Sequence, residues 1–298
     1  MRFDVIHLAV AHLGLTLDYR DCRTETVFPD SYSKFFQPVA NPQAEFVDSI
    51  SPGSQWLEIK LHDEPGRIDP GFSLVSRTDI WALYREEMSG RQLFYSPRGN
   101  PPCSLLVDAE FTHGDLFGDF SGCEHQDAFP LLGLDNLLYI NWLGSFGDFS
   151  LHASAVAIEG KGYAFFGVSG AGKSTLAAAL QQNHDALVLG EDQVFLRLID
   201  GCFWIFGTPW HENNDMCAAQ GVPLTRLFFL VQSDREEVSR LKPSVAVSQI
   251  LRTAFIPYYR PDLMPGILER LERLVLQLPI FLLSYRLGDD IWEKIRFL

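Results

Sequence analysis

The sequence predicts an α/β fold in which a core of alternating helices and strands follows a mainly β N-terminal region. Two observations carry this prediction. The first third of the chain is rich in turn-forming residues between short strand-like runs, such as residues 56–61 and 105–107. From about residue 131 onward, helical and strand-like apolar patterns alternate, as is typical of α/β proteins. We therefore expect two domains, residues 1–128 and residues 129–298, with the first packing on the second.

Within the N-terminal region, residues 1–17 are apolar enough to form one strand, and the runs at 56–61 and 105–107 form two more. We expect a short helix over residues 78–88. A loop rich in Gly, Asp and Glu, residues 113–127, is predicted to separate this region from the core.

The core is predicted to open with a helix over residues 131–146, whose apolar side chains share one face. A hairpin should follow, with strands over residues 151–158 and 163–166 and a turn between them. The remaining expected elements, in order, are a helix from Ser174, strands over 186–189, 195–199, 203–206 and 227–231, and helices over 244–254 and 265–278. The last helix has Ile267, Leu271, Leu274 and Leu278 on one face, which predicts a buried stripe.

Composition narrows the choice of partners and compartment. Hydrophobic residues make up 47% and charged residues 21% of the chain, so it can bury a substantial core. The formal charge is −14, which disfavours both nucleic acid and anionic membrane as partners. No apolar run is long enough to span a bilayer. Five scattered cysteines without a C-x-x-C pair predict free thiols in the cytoplasm. They are Cys22, Cys103, Cys123, Cys202 and Cys217.

Residues 167–174 read G-V-S-G-A-G-K-S and match the phosphate-binding loop pattern in full. Glycines let successive backbone N–H groups turn toward phosphate oxygens, and the following helix points its positive dipole end at the same anion. Lys173 would supply a full charge to the β- and γ-phosphates, and Ser174 a hydroxyl to Mg²⁺. The predicted nucleotide-binding residues are Gly167, Ser169, Gly170, Ala171, Gly172, Lys173, Ser174 and Thr175.

Other motifs, present or absent, limit which class of phosphate-binding loop protein this chain can be. A guanine-reading N-K-x-D motif is absent, which disfavours a GTPase, and the absence of L-S-G-G-Q disfavours a transporter-type ATPase. The strand that leads into the loop is the second arm of a hairpin. An acidic pair, Glu191 and Asp192, follows only one helix after Lys173.

Three stretches together, residues 151–156, 167–174 and 189–194, resemble the catalytic domain of HPr kinase/phosphorylase, a family that shares its core with phosphoenolpyruvate carboxykinase. His152 stands where the family histidine stands, and Glu191 and Asp192 replace an Asp–Asp pair. The match covers roughly residues 131–200. The family's E-x-R-G signature is missing and its N-terminal domain is not recognisable, so the similarity is to shorter HPr-kinase-like proteins rather than to HPr kinase itself.

The resemblance implies the roles of the site residues. Asp192 would be the general base, Lys173 would contact the phosphates, and Glu191 would join Ser174 in holding Mg²⁺. His152 would either polarise the γ-phosphate or orient Asp192. The implied activity is an ATP- and Mg²⁺-dependent kinase that phosphorylates a hydroxyl, of Ser or Thr, in a small protein or peptide.

Several assignments stay open from sequence. Arg226, Arg252 and Arg260 are equal candidates for neutralising transition-state charge. Residues 210–212 could contact substrate or pack a loop, and the His- and Asp-containing loop at 113–127 fits no standard metal pattern. A small-molecule kinase and a nucleotide-binding regulatory module without phosphoryl transfer are the alternative functions. Oligomeric state is also open, a homo-oligomer included.

Overall fold

The computed structural model describes residues 5–20, 32–37, 54–66, 68, 70–98, 102–120, 133–211, 216–286 and 288–298. The chain divides into two compact units, Met1–Trp142 and Leu143–Leu298. Its elements form two large mixed sheets with few helices, an α/β architecture. No helix in the described ranges is both long and apolar enough to cross a membrane.

The first unit contains a sheet whose nine described strands follow the order β3-β1-β2-β4-β9-β8-β7-β6-β5. The strands β4 and β8 contain the two predicted runs at residues 56–61 and 105–107. Inward-facing leucines and isoleucines alternate with polar residues along β4, which is why this segment pairs as a half-buried strand. The strand bounds are β1 (Val5–Val10), β2 (Leu13–Asp18), β3 (Phe36–Gln37), β4 (Gln55–Asp63), β5 (Phe72–Arg77), β6 (Ala82–Glu86), β7 (Gln92–Ser96), β8 (Cys103–Val107) and β9 (His113–Gly118).

Three expectations for this unit are wrong. Residues 5–18 form two antiparallel strands rather than one, because Ala11 and His12 have positive φ angles of 56° and 63° and reverse the chain. The helix expected over residues 78–88 is replaced by β6, which pairs with β5 and β7, and this pairing overrides local helix propensity. The loop expected from residue 113 begins instead with β9, paired with β4 and β8; residues 121–127 lie outside the described ranges.

The second unit is built on a sheet of ten described strands in the order β13-β11-β12-β16-β15-β14-β10-β18, with β19 pairing β16 and β17. Pairs β12–β16 and β16–β19 are parallel, and the other pairs are antiparallel. The elements from residue 135 onward are α1 (Asp135–Ser145), β10 (Phe149–Leu151), β11 (Ala153–Ile158), β12 (Lys161–Phe166), α2 (Lys173–His184), β13 (Leu187–Gly190), β14 (Val194–Ile199), β15 (Cys202–Phe206), β16 (Gly221–Gln232), β17 (Glu237–Arg240), α3 (Pro243–Thr253), β18 (Ala254–Phe255), α4 (Met264–Gln277), β19 (Ile280–Tyr285) and α5 (Trp292–Ile295).

Most elements expected for residues 131–298 are confirmed to within a few residues, but the strand expected over residues 151–158 is divided. It forms β10 and β11, which four other strands separate in the sheet order. The chain passes from one strand to the other at His152. Strands β17, β18 and β19 and helix α5 were not expected. Both β17 and β18 are short, and β19 is separated from α4 only by Leu278 and Pro279.

Helices cover both faces of the second sheet. On one face, Ile250 of α3 and Leu271 of α4 belong to the same buried cluster as Phe166 of β12. On the other face, Leu180 of α2 is buried with Phe165 of β12. Successive residues of a strand point to opposite faces, so β12 contributes to both layers of the core. The predicted stripe of the last long helix is confirmed as core packing, since Ile267, Leu271 and Leu274 are fully buried and Leu278 packs against them.

A buried ion cluster fixes the start of β10. The Asp148 carboxylate accepts a hydrogen bond from Arg197 Nε of β14 (3.1 Å) and one from Arg270 Nη1 of α4 (2.5 Å). It also accepts the backbone N–H of Leu198 (3.2 Å). Burial raises the pKa of Asp148 above its usual value, although both arginines act in the opposite direction. Removing one partner of a buried ion pair is strongly destabilising, because the remaining charge stays buried without compensation.

We expect Asp148→Ala to destabilise the protein by about 3–5 kcal/mol, because it leaves the buried Arg197 guanidinium without its counter-charge. Urea denaturation followed by tryptophan fluorescence measures the change. The control is Asp289→Ala, which removes the surface ion pair with Arg286 and should shift stability by less than about 1 kcal/mol. Equal losses in the two variants would contradict a structural role for the buried cluster.

Candidate functional site

The glycine loop, defined here as residues 167–172, connects the end of β12 to the start of α2. Gly170 and Gly172 have φ angles of 77° and 91°, a region that residues with a Cβ rarely adopt. Gly167 lies against β16, where an added Cβ would meet the Leu230 carbonyl oxygen at 3.0 Å. The loop closes on itself through the hydrogen bond from Ala171 N to Val168 O (3.1 Å).

Side chains from two neighbouring strands hold this loop from outside. The Gln232 amide, at the end of β16, donates to the Gly170 carbonyl (2.5 Å). The Tyr285 hydroxyl, at the end of β19, donates to the Gly172 carbonyl (3.0 Å). Burial raises the pKa of Tyr285 to about 12, which keeps the hydroxyl protonated and able to donate. The sequence does not identify Gln232 or Tyr285 as loop contacts. Only the parallel pairing of β12 with β16 and of β16 with β19 places them beside the loop.

The first turn of α2 carries the three remaining predicted nucleotide-binding residues. Lys173 is buried, Ser174 is half-buried and Thr175 is exposed. The Lys173 ammonium lies 3.4 Å from the carbonyl oxygens of Gly167 and Val168. Burial lowers the pKa of Lys173, and the negative charge of Asp192 acts against this effect. The lysine therefore lies under the glycine loop with an acidic side chain nearby.

The acidic turn, defined as residues 191–193, follows β13 and is held through three consecutive backbone carbonyls. Ser154 Oγ donates to Glu191 O (2.9 Å), and His152 Nδ1 donates to Asp192 O (2.8 Å). Thr208 Oγ1 donates to Gln193 O (2.7 Å). Because a carbonyl oxygen can only accept a hydrogen bond, His152 must carry a proton on Nδ1. The other ring nitrogen, Nε2, is not the atom that makes this bond. Ser154 and Thr208 are supporting residues that sequence reasoning missed.

The two acidic side chains differ in exposure. Glu191 is buried and Asp192 is half-buried. Since both residues sit on a turn whose carbonyls are individually bonded, their backbone positions are well defined. Among the described residues, no group of three or more His, Cys, Asp or Glu side chains could hold a metal ion by itself.

A cavity of about 450 Å³ opens between the glycine loop and the end of α3. His152 lies in its wall, and the Phe255 ring meets the His152 ring edge-on with 6.3 Å between centroids. The structure thus places His152 in the same cavity as the first half of the loop. The cavity is lined by His152, Gly167, Val168, Ser169, Phe229, Gln249, Arg252, Thr253, Ala254 and Phe255.

The three arginines that the sequence could not rank as candidates have different surroundings in the structure. Arg252, exposed in the last turn of α3, lines the cavity. Arg226 pairs in register with Tyr163, at the far end of β12 from the loop. Arg260 is buried and forms a two-point ion pair with Asp262 (2.9 and 2.8 Å). Of the three, only Arg252 is placed beside the glycine loop.

For residues 210–212 the sequence leaves substrate contact and loop packing open. Trp210 packs against Phe195 of β14, with 5.4 Å between ring centroids, and this contact supports the loop-packing alternative. Glu212 lies outside the described residues.

No family model and no curated protein matches this chain. Among solved structures, the HPr(Ser) kinase/phosphatase from Coxiella burnetii aligns with 50% of this chain and 87% of its own, at 13% identity and a TM-score of 0.28. A similarity at this level leaves both the fold family and the activity to be argued from the residues themselves.

We expect neutral His152 to carry its proton on Nδ1, because that nitrogen donates to the Asp192 carbonyl. A ¹⁵N–¹H correlation spectrum of the imidazoles, assigned with His152→Gln, should give an unprotonated shift for its Nε2. His184 is the internal control, since its Nε2 lies 2.9 Å from both carboxylate oxygens of Asp290 and should be protonated. A protonated Nε2 and bare Nδ1 on His152 would refute the bond to the acidic turn.

Proposed function

We propose that this protein is a phosphotransferase that uses ATP and Mg²⁺ and transfers the γ-phosphoryl group to a Ser or Thr hydroxyl of a small protein or peptide. One observation carries the proposal. The glycine loop, the buried Lys173 and the Asp192 turn lie together, with His152 joining the turn to the cavity beside the loop. No disulfide joins Cys103, Cys202 and Cys217 within the described residues, and this, with the use of ATP, fits a cytoplasmic enzyme.

The glycine loop and the start of α2 suit a polyphosphate. The first N–H groups of a helix have no partner within that helix, and Gly172, the residue before α2, provides no side-chain cap. These N–H groups and the positive end of the helix dipole favour an anion. The loop residues with positive φ are glycines and have no Cβ, so phosphate oxygens could approach the backbone closely.

Lys173 is suited to contact the β- and γ-phosphates. Its 3.4 Å contacts to two carbonyl oxygens are longer than ordinary N–H···O bonds, so they hold the ammonium weakly. Phosphate oxygens would be stronger partners, because their negative charge attracts the ammonium in addition to accepting its hydrogen bonds. A bound triphosphate would also offset the burial that lowers the pKa of Lys173.

The donors proposed for Mg²⁺ are the Ser174 hydroxyl and the Glu191 carboxylate. Both are oxygen ligands, and Mg²⁺ in nucleotide sites is typically held by one or two protein oxygens together with phosphates and waters. The ion would neutralise charge on the β- and γ-phosphates.

Asp192 is the proposed general base. Its carboxylate would take the proton of the acceptor hydroxyl as that oxygen forms its bond to the γ-phosphorus, while the bond from the γ-phosphorus to the bridging oxygen breaks and ADP leaves. The hydrogen bond from His152 Nδ1 to the Asp192 backbone carbonyl supports a role for the histidine in positioning the acidic turn. Arg252 is the proposed counter-charge for the transferring group, because it faces the cavity beside the loop.

We expect Lys173→Ala to weaken ATP binding in the presence of Mg²⁺ by roughly 10- to 100-fold, the usual value of a charged hydrogen bond. Titration calorimetry measures the affinity. Lys161→Ala, which removes an exposed lysine at the start of β12, should leave it unchanged. Omitting Mg²⁺ should weaken binding to the native protein. If the folded Lys173→Ala variant binds ATP with unchanged affinity, the glycine loop is not the nucleotide-binding site.

We expect Asp192→Asn to bind ATP at least as tightly as the native protein, since one negative charge beside Lys173 is lost. Phosphoryl transfer should fall by roughly 10²- to 10⁴-fold, the usual contribution of a positioned base. The assay mixes protein, Mg²⁺ and ATP with acetylated, amidated peptides that contain a central Ser or Thr, and product is detected by mass.

The control for this variant is Asp200→Asn, at the exposed turn between β14 and β15, where Asn tolerates the observed φ of 48°. Transfer that is equal in native protein and in Asp192→Asn would disprove the assignment of the base. ATP binding without transfer by the native protein would instead favour a regulatory module.

A further inference from the structure

We propose that Gln249 is a specificity-determining residue, whose side-chain amide forms hydrogen bonds with the backbone peptide groups that flank the acceptor hydroxyl. The inference rests on the proposed phosphoryl transfer and names the residue that recognises its acceptor. It is carried by the position of Gln249 in the wall of the cavity beside the glycine loop, a residue to which the proposed function gives no role.

The cavity lies on the α3 face of the second sheet, whereas α2 covers the opposite face. Phe229 and Ala254, in the cavity wall, pack against the core cluster that contains Ile250 of α3. Leu180 of α2 is buried in the cluster of the other face. In phosphoryl transfer the attacking and leaving oxygens lie roughly in line, on opposite sides of the phosphorus. With the nucleotide phosphates at the start of α2, an acceptor in the cavity would approach from the side away from that helix.

Gln249 lies one helical turn before Arg252 on α3, and both residues line the cavity. Residues three apart share a face of a helix. Gln249 is half-buried, whereas Arg252 is exposed. The Gln249 backbone carbonyl accepts a hydrogen bond from Thr253 Oγ1 (3.1 Å), but its side-chain amide has no hydrogen-bond partner among the residues that the structure describes. The amide is therefore free to bind a ligand in the cavity.

The other polar side chains of the cavity wall outside the glycine loop already have partners or roles. Thr253 Oγ1 donates within α3, to the carbonyl oxygens of Gln249 and Ile250 (3.1 and 3.2 Å). His152 donates through Nδ1 to the acidic turn. Arg252 is the counter-charge proposed above for the transferring group. Gln249 is the polar side chain of this wall that is left to contact the acceptor.

The chemistry of a carboxamide suits a peptide acceptor. Its NH₂ group donates to a carbonyl oxygen, and its own carbonyl oxygen accepts an N–H. A Ser or Thr within a polypeptide offers such groups on both sides of its hydroxyl, whereas a simple alcohol offers none. None of the described residues that line the cavity is Asp or Glu, so the cavity has no counter-charge for a basic acceptor. Recognition of the acceptor backbone through Gln249 therefore favours a peptide over a simple alcohol.

The test combines a change in the substrate with a change in the protein. The substrates are an acetylated, amidated peptide with a central Ser and two analogues in which an ester replaces the peptide bond before or after that Ser, incubated with γ-labelled ATP and Mg²⁺. In the native protein, at least one ester should lower kcat/KM by roughly 3- to 10-fold, the value of one neutral hydrogen bond. In Gln249→Met, which keeps the side-chain length and removes the amide, the same ester should cost less than about 2-fold.

Gln249→Met should raise KM for the all-amide peptide by roughly 3- to 10-fold and leave kcat nearly unchanged, because a contact made equally before and during transfer alters KM alone. Its affinity for ATP with Mg²⁺ by calorimetry should equal that of the native protein. The matched control is Gln277→Met, the same substitution at the exposed end of α4, which should change neither quantity. Methionine and glutamine have similar helix propensities, so both variants should keep the native Tm.

The possible failures are distinguishable. An ester penalty of the same size in native protein and in Gln249→Met overturns the role of Gln249 and leaves phosphoryl transfer standing. The absence of any ester penalty in the native protein does the same. Weaker ATP binding by Gln249→Met would mean that the amide contacts the nucleotide, which also overturns acceptor recognition. ATP binding without transfer to any peptide overturns the proposed function itself, and this inference with it.

Discussion

Strand β16 pairs with β12 on one side and with β19 on the other, both in parallel, and the candidate site depends on these two pairings. Parallel neighbours end at the same edge of a sheet, so the glycine loop after β12 lies beside the ends of β16 and β19. There Gln232 and Tyr285 each donate to a loop carbonyl. A loop with several glycines at positive φ is intrinsically adaptable, and these contacts fix the positions of two of its carbonyls.

The acidic turn is positioned by hydrogen bonds from residues at the connection between β10 and β11. At His152 the chain leaves β10 for β11, and the sheet order separates these strands widely although they are consecutive. The residues at this crossing, His152 and Ser154, bond the carbonyls of Asp192 and Glu191. The turn is therefore tied to the point where the chain changes strands, and its distance from the loop is set by the sheet rather than by flexible side chains.

The local charge beside the glycine loop is positive, whereas the net charge of the whole chain is negative. The formal charge is −14, which repels a polyphosphate at long range. Lys173, Arg252 and the start of α2 provide local positive potential beside the loop. Because Lys173 is buried, its interactions are screened less by salt than those of surface lysines. Under the proposed function, a short-range attraction of this kind would act on a ligand whose phosphates reach the loop itself.

By itself, the sequence determined the elements whose signals are local. These are the loop motif at residues 167–174, the hairpin before it, helix α2 and the stripe of α4, because glycine spacing and apolar periodicity depend on near neighbours. Only the tertiary structure decided that residues 82–86 form a strand, that Arg252 rather than Arg226 or Arg260 lies beside the loop, and that Thr208 and Tyr285 support the site. These outcomes depend on strand pairing between segments far apart in the chain, and no local pattern records which strands become neighbours.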